Sequence, residues 1–400
     1  MTRRKPWFLP CGALLLLMAS MSSRAMDIEP YVQQAVPNLV GYLQVDTINP
    51  PGNESRGVAY LSSLLDQAGI AYESVESAPG RGNLWAKLPG TPDAEGNTLP
   101  ALVLLHHIDV VPANAAHWSV DPLSGEQVDG YIYGRGAIDT KGLGIVQLQA
   151  FLALAASQQP LNRDVWYMAT ADEEAGGFFG AGWLVENRPD LFANVGYLLN
   201  EGGSGRRFEQ GVAVMVEVTQ KVPLWLRLNA SGRPGHGSAP QVTTSVTRLV
   251  RGLERVRQTE FPVNVVPAVA AMFEGLAPYQ DAGNRSQYAG IAQAANDSSY
   301  LLGLRLRNPG AHALLRNTCS ITRLTGSSKI NVVPAEASAE LDCRLLPDQN
   351  PEQFLAELSQ IINDDQIVIE KIMGFTPATS RTDTPLFRVI ANVAEEQYGA

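Results

Sequence analysis

The chain has 400 residues, of which 45% are hydrophobic and 18% are charged, and this length suggests about two or three domains. Its 30 basic and 40 acidic residues give a net charge of -10, which argues against a nucleic-acid-binding protein, because such proteins carry basic surfaces. The 36 glycines and 26 prolines are too few for a collagen-like or low-complexity chain. We therefore expect a globular, acidic protein with more than one domain.

Residues 1–25 have the pattern of a signal peptide. Three basic residues precede the apolar run 11–19, and the small residues Ser23 and Ala25 favour cleavage after Ala25. The apolar run is shorter than the roughly 20 residues that span a bilayer, and no later stretch is long and apolar enough to do so. We expect an exported protein, periplasmic or secreted, without a stable membrane span after cleavage.

Residues 26–211 alternate between helical and strand patterns. Helices are predicted over 28–43, 57–65, 141–156 and 181–186, and strands over 83–88, 101–105, 164–170 and 196–199. Apolar residues at three-to-four spacing indicate the helices, and continuous apolar runs such as 101–105 are typical of buried strands. This alternation predicts a layered α/β domain with a largely parallel sheet.

The pattern changes near residue 212 and predicts an inserted α+β unit over 212–374. Strands are predicted over 212–218, 224–230, 330–333, 337–343 and 367–372, helices over 245–257 and 351–363, and an irregular stretch over 261–299. Residues 375–400, with a helix over 385–397, would return to the first domain. For Cys319 and Cys343 two interpretations stay open, a disulfide and a pair of buried thiols.

Acidic and imidazole side chains cluster where the predicted strands of the first domain end. The clusters contain His106, His107 and Asp109, then Asp139, then Asp172, Glu173 and Glu174, and finally Glu201. A single such residue is ordinarily a solvated acid or a packing histidine. Sites in open α/β sheets form at the carboxyl ends of strands, and a divalent cation removes the repulsion between gathered carboxylates. The four clusters together therefore predict a metal site.

The motifs resemble, in order and spacing, the co-catalytic di-zinc hydrolases, which include aminoacylase, yeast carboxypeptidase S, bacterial glutamate carboxypeptidase and succinyl-diaminopimelate desuccinylase. The resemblance rests on segments 107–112, 134–142, 172–177, 200–203, 235–240, 329–334 and 341–347. The Asn-Glu-Gly-Gly segment is most similar to the carboxypeptidase S and aminoacylase branch. The resemblance implies a zinc-exopeptidase-like α/β/α catalytic domain with an inserted ferredoxin-like α+β lid and dimerisation domain.

The resemblance also implies two zinc ions per subunit. His107 and Glu201 would hold one ion and Glu174 the other, with Asp139 between them. Asp109 would fix the His107 ring, and Glu173 would be the general base for a hydroxide shared by the two ions. Adjacent residues of an extended segment point in opposite directions, so that one glutamate could face the metal and the other the water. A cis peptide bond is implied between Asp139 and Thr140.

Three residues of the inserted unit would contact the substrate, namely His236, Asn331 and Arg344. The guanidinium group of Arg344 suits a free α-carboxylate, although an ordinary surface charge is the alternative, and His236 would polarise the scissile carbonyl group. The resemblance thus implies hydrolysis of an amide bond next to a free carboxylate, in a short peptide or an N-acyl amino acid. It also implies a homodimer formed through the lid domain.

One metal ligand of the family has no counterpart in these residues. The family places a late histidine on the metal held by Glu174, whereas the five histidines here are at positions 106, 107, 117, 236 and 312. We therefore expect the natural chain to continue beyond residue 400 and the second zinc site to be incomplete without that continuation.

Three other functions are weighed against this interpretation. A same-fold aminopeptidase is disfavoured by Arg344, and a non-catalytic binding protein that has lost a metal is disfavoured by Glu173. A nucleotide-binding α/β protein is disfavoured because no G-x-G-x-x-G follows the first strands.

Overall fold

The computed structural model describes residues 26–400, and the predicted signal peptide lies outside them, so that export stays a prediction. The described chain forms two compact units that meet in sequence between Glu201 and Gly202. The division into segments 26–211, 212–374 and 375–400 also stays a prediction. Within residues 26–400, no helix is long and apolar enough to cross a membrane.

The first unit is a mixed α/β domain. Its elements are α1 (Glu29–Leu43), α2 (Glu54–Gln67), β1 (Tyr72–Glu76), β2 (Gly82–Leu88), β3 (Leu99–His107), β4 (Glu126–Val128), β5 (Tyr131–Tyr133), α3 (Lys141–Ser157), β6 (Arg163–Thr170), α4 (Ala181–Asn187) and β7 (Val195–Leu199). Five strands form one sheet in the order β1-β2-β6-β3-β7, and β4 and β5 form a separate hairpin.

The register of the central strands brings their carboxyl ends together. Strand β3 runs parallel to both neighbours, with His107 opposite Thr170 of β6 and Leu104 opposite Leu199 of β7. The residues that follow these three strands therefore leave the sheet at one edge. This is the edge at which open α/β sheets form their sites.

Apolar side chains alternate between the two faces of this sheet. In β2, Leu84 and Ala86 belong to a core with residues of α1, α2 and α3, whereas Trp85 packs with Leu184 of α4 in a second core. Because successive strand residues point to opposite faces, both faces are covered by helices. The predicted three-layer α/β/α arrangement follows.

The sheet is more mixed than predicted, because β1 and β2 are antiparallel to their neighbours. Strand β1 was not predicted from the sequence, and it is an edge strand whose residues are all exposed or half-buried. A strand of this kind lacks the continuous apolar run that marked β3 and β6.

The second unit contains the remaining elements. These are β8 (Ser204–Phe208), β9 (Gly211–Met215), β10 (Val222–Ser231), β11 (Gly235–His236), α5 (Ser245–Gln258), α6 (Pro267–Leu276), α7 (Arg285–Ala289), α8 (Ile291–Ala294), α9 (Ser298–Arg307), α10 (Pro309–Ala313), β12 (Thr318–Thr325), β13 (Val332–Val333), β14 (Glu336–Leu345), α11 (Pro351–Ile362), β15 (Ile367–Gly374) and α12 (Pro385–Tyr398).

A ferredoxin-like sheet is the centre of this unit. Its strands are antiparallel neighbours in the order β12-β14-β10-β15. Alternate residues of β10 and β14 are buried in one core with residues of α5 and α11. Cys319 and Cys343 are register partners on β12 and β14 and form a disulfide, which resolves the two interpretations of these cysteines. Disulfides persist mainly in oxidising compartments.

Two predictions for this unit are wrong. The strand predicted over 212–218 is β9, which ends at Met215 and pairs with β8 in a separate ribbon, whereas the sheet contains β12, for which no strand was predicted. Most residues of β12 are exposed, so that its sequence has no buried stripe. The stretch predicted as irregular over 261–299 contains α6, α7 and α8, and Val269 and Phe273 of α6 share a small core with Ile291.

Candidate metal centre

His107 presents one ring nitrogen to a group of carboxylates. It is the last residue of β3, and its Nδ1 lies 2.9 Å from the main-chain oxygen of Asp109. A proton on Nδ1 donates to that oxygen, and the other ring nitrogen, Nε2, faces the carboxylates. Nε2 lies 3.0 Å from Oδ1 of Asp139, 3.6 Å from Oε2 of Glu201 and 4.0 Å from Oε2 of Glu173.

The preceding residue, His106, points to the other face of β3. Its ring lies among Tyr42, Tyr167 and α3, where a Cβ atom on Gly144 would come within 2.3 Å of it. Complete burial lowers the pKa of His106 to about 3. His106 is therefore a neutral packing residue.

Asp139 precedes α3 in a fixed loop. Its peptide bond to Thr140 is cis, as the sequence resemblance implied. Thr140 donates to the main-chain oxygen of His107 at 3.4 Å. Lys141 is buried and donates to two main-chain carbonyl groups near the end of α1. These contacts hold the loop against β3 and bring Asp139 to the His107 ring.

The two adjacent glutamates lie in a short 3-10 turn, Glu173–Ala175, rather than in the extended segment that was predicted. Successive residues of such a turn are rotated by about 120°, so that the two carboxylates still diverge. The structure contains two groups of three possible ligand atoms, and the atoms of each group lie within 4.8 Å of one another. One group comes from His107, Asp139 and Glu174, and the other comes from His107, Glu173 and Glu201.

The carboxylates and the imidazole shift each other's protonation. Burial lowers the pKa of His107, but hydrogen bonds to Asp109, Asp139 and Glu201 outweigh it and raise the pKa to about 12. Burial raises the pKa of Glu173 to about 7, and the neighbouring carboxylates add to the increase. For Glu174, burial again and then the charge of Asp139 raise the pKa. The site thus contains more negative charge than its imidazole offsets.

These donors fit a zinc ion. A tetrahedral zinc ion with ligand bonds of about 2.0–2.2 Å separates its ligand atoms by roughly 3.3–3.6 Å. The distances from His107 Nε2 to Asp139 and Glu201 are 3.0 and 3.6 Å, close to that separation. Imidazole and carboxylate are zinc ligands, and a bound cation would offset the excess negative charge.

The three predicted substrate contacts all lie in the second unit. His236 is exposed on β11, and its Nδ1 lies 2.8 Å from Oγ of Ser238. Asn331 is close by, since the amide of Gly237 donates to its main-chain oxygen at 2.8 Å. Arg344 lies on β14, where its Nε and Nη2 donate to the carboxylate of Asp342 at 2.8 and 3.2 Å.

Sequence reasoning missed a buried polar layer beside the predicted ligands. Its residues are Asn49, Glu54, Arg81 and Asp172, each less than 10% exposed. Asn49 lies in a cluster of turn residues, which read as a loop. Asp172 stands directly before Glu173 and Glu174, and this adjacency was the available signal.

Known proteins resemble this chain in sequence and in fold. The model of peptidase family M20/M25/M40 matches residues 103–400. N-fatty-acyl-amino acid synthase/hydrolase PM20D1 of Xenopus tropicalis is 33% identical over 364 residues, which cover 86% of this chain and 68% of that protein. Aminoacylase-1 of Sus scrofa is 31% identical over 319 residues, covering 79% and 67%.

A solved structure shares the fold. The M20 family metallo-carboxypeptidase Sso-CP2 from Sulfolobus solfataricus has a TM-score of 0.67 at 18% identity, over 92% of this chain and 84% of that chain. Together with the layered sheet and the ferredoxin-like sheet of the second unit, this confirms the predicted fold class.

The fold and the family match define a hydrolase that acts on peptide or other amide bonds. The chain belongs to peptidase family M20/M25/M40, whose members are metal-dependent and typically use zinc. This confirms the family that the sequence motifs predicted.

Zinc binding tests the candidate centre. Purified protein should retain at least one equivalent of zinc after dialysis, whereas His107→Ala and Asp139→Ala should lose it, because each removes a donor from the group around Nε2. Metal analysis by mass spectrometry measures this. Glu95→Gln, which removes an exposed acid of the first unit, should retain the metal. Equal zinc in all four proteins would contradict the assignment.

Proposed function

We propose that the protein hydrolyses the amide bond next to a free carboxylate, in N-acyl amino acids or at the C-terminus of short peptides. The observation that carries the proposal is the buried His107 ring, whose Nε2 faces the carboxylates of Asp139, Glu201 and Glu173 within 4.0 Å. The names of the relatives support the substrate class, since aminoacylase-1 and an N-fatty-acyl-amino acid hydrolase are among them.

The proposed ligands divide into two sets. His107, Asp139 and Glu201 would hold one zinc ion, and Asp139 and Glu174 would contribute to a second site. When bound, zinc supplies a Lewis acid that polarises a carbonyl group and lowers the pKa of water. Asp139 can serve both sets because its oxygen groups with His107 and with Glu174.

Glu173 is proposed to move the proton. Its carboxylate would accept a proton from the attacking water and then donate that proton to the nitrogen of the leaving amine. Half of its side chain is exposed, so that water and substrate can reach it. Its main-chain N–H donates to the carboxylate of Asp109 at 3.0 Å. This bond orients Glu173 without involving the Glu173 carboxylate.

Replacing the two glutamates separately distinguishes base from ligand. Glu173→Gln should lower kcat by about 10²–10⁴-fold, the usual contribution of a general base, and leave zinc content nearly unchanged. Glu174→Gln should instead weaken metal binding. Steady-state kinetics with an N-acyl amino acid and metal analysis of the same preparations check both results. If Glu173→Gln loses zinc and Glu174→Gln does not, the two roles are exchanged.

Arg344 is proposed to bind the substrate's free carboxylate, with Asn331 beside it and His236 on the scissile carbonyl oxygen. In the structure the Arg344 guanidinium is bonded to Asp342 through Nε and Nη2, and Nη1 lies outside this pair. Charge-assisted bidentate bonds are stronger than neutral ones, so that Arg344 can select a carboxylate over an amide.

A comparison of two enzymes on two substrates tests this contact. Arg344→Ala should lower kcat/KM about 10²-fold or more for a substrate with a free carboxylate, on the scale of a lost charged hydrogen bond. The same change should barely affect the slow turnover of the C-terminally amidated substrate. Arg305→Ala, which removes an exposed arginine of α9, serves as the control. Equal losses on both substrates would favour the aminopeptidase alternative.

The proposal includes a homodimer formed through the second unit. Strand β12 is an edge of its sheet, and edge strands offer unpaired main-chain groups to another chain. Its residues Ile321 and Leu324 are exposed, as are Val246 and Val250 of α5. This apolar edge is a suitable surface for a second copy.

Light scattering with size-exclusion chromatography measures the assembly. The wild-type protein should have the mass of a dimer, and Leu324→Lys should shift it to a monomer, because a charge would be buried at the contact. Val368→Lys changes an exposed valine on β15, the opposite edge of the same sheet, and should stay dimeric. A monomeric wild type, or a dimeric Leu324→Lys, would contradict the proposed interface.

A further inference from the structure

We propose that Asn49 and Arg81 are positioning residues for hydrolysis, which orient the metal centre through the carboxylates of Asp109 and Asp172. The inference rests on the proposed function for its kinetic part alone. Neither residue belongs to the group of metal-binding donors, and both are buried, at 5% and 8% exposure. Their action must therefore pass through the side chains that they hold.

The first link is Asp109. Its carboxylate accepts the main-chain N–H of Glu173 on Oδ1 at 3.0 Å and that of Glu174 on Oδ2 at 3.2 Å. Its main-chain oxygen lies 2.9 Å from Nδ1 of His107. Asp109 thus fixes the imidazole and both glutamates at once. The side-chain amide of Asn49 donates to Oδ2 of this carboxylate at 2.8 Å.

The second link is Asp172, which directly precedes the glutamate turn. Its Oδ1 accepts Nη2 of Arg81 at 2.6 Å and the amide of Asn49 at 3.2 Å. Its Oδ2 accepts the main-chain N–H of Phe179 at 3.1 Å, beyond the turn. The backbone of Asp172 is left-handed, with φ 68°, a conformation that is uncommon for non-glycine residues, and these hydrogen bonds help to hold it.

Arg81 offsets part of the negative charge of the layer. Its Nη2 lies between Asp172 and Glu54, with 2.7 Å to the Glu54 carboxylate, and its Nη1 donates to the main-chain oxygen of Pro51 at 3.1 Å. Gly52 has φ 107°, and a Cβ atom there would stand 2.7 Å from Cζ of Arg81. The loop 49–52 is thus shaped around the guanidinium.

A layer of this kind is costly as a stabilising device. Buried ion pairs are often no more stable than apolar residues of similar volume, yet Glu54, Asp172 and Asp109 place three carboxylates in one interior region with a single arginine. The layer instead supplies orientation, because Asn49 donates to Asp109 and Asp172, and Arg81 donates to Asp172, the residue directly before the glutamate turn. Among residues 26–400, Asn49 is the residue whose side-chain amide donates to both Asp109 and Asp172.

The consequence for the reaction follows from geometry. Without the Asn49 amide, Asp109 loses a donor and the link to Asp172, so that the His107 ring and the turn can shift. A displacement of about 1 Å in catalytic groups can lower the rate by about 10²-fold. Loss of an outer hydrogen-bond partner typically weakens metal affinity by about 10–100-fold. Binding of the substrate, whose proposed contacts lie elsewhere, should change little.

The experiment compares Asn49→Ala with Leu61→Ala in the purified chain. Leu61 is fully buried on α2 of the same unit and is outside the polar layer, so that its truncation reports general destabilisation. Zinc affinity is measured by competition with a fluorescent chelator, alongside kcat, KM and Tm. For Asn49→Ala we expect zinc binding to be about 10–100-fold weaker and kcat to fall, with KM within about threefold. Leu61→Ala should lower Tm at least as much and keep wild-type zinc affinity and kcat.

A second pair uses Arg81. Arg81→Lys can still donate to both carboxylates and should recover most of the zinc affinity that Arg81→Met loses. If Arg81→Met does not fold, Asn49→Ala decides alone. Zinc affinity and kcat of Asn49→Ala equal to those of Leu61→Ala would overturn the proposal. A wild type that binds zinc but hydrolyses neither N-acyl amino acids nor short peptides would refute the proposed function instead, and the zinc comparison would still test the positioning.

Discussion

The arrangement of the candidate centre depends on the hydrogen bonds of the buried Asp109 carboxylate. It receives the amides of Glu173 and Glu174 from the segment after β6, while its own main-chain oxygen faces the His107 ring at the end of β3. Burial alone would raise the pKa of Asp109, but hydrogen bonds from His107 and Asn49 hold it below its usual value. Asp109 is therefore an anion. Its negative charge strengthens the hydrogen bonds from the N–H groups of Asn49, Glu173 and Glu174.

The sheet explains why these groups meet. Strands β3, β6 and β7 are parallel neighbours, so that residues distant in sequence leave the sheet at one edge. Asp139, which lies just before α3, reaches the same edge. The resulting density of carboxylates around one imidazole is unfavourable without a cation. The same negative charge favours a divalent ion, and this connects the fold to the metal-dependent chemistry of the family.

Much of this centre could be predicted from sequence, since acids and histidines directly after apolar strands are recognisable one segment at a time. The polar layer behind it could not be predicted in this way. Asn49 reads as a turn residue, and Arg81 lies between two strands, and only tertiary packing brings them to Asp172. The same limit applies to β12, whose exposed residues gave no buried stripe, and to the pairing of β9 with β8. Patterns within a segment predict its type, whereas pairing depends on the rest of the chain.

The most direct test of the account is anomalous diffraction at the zinc absorption edge from crystals grown with zinc. The account predicts a peak within about 2.0–2.2 Å of His107 Nε2 and of carboxylate oxygens from Asp139 and Glu201, the usual zinc–ligand distances. An active protein whose zinc lies away from His107, or whose crystals show no anomalous peak at this edge of the sheet, would contradict it.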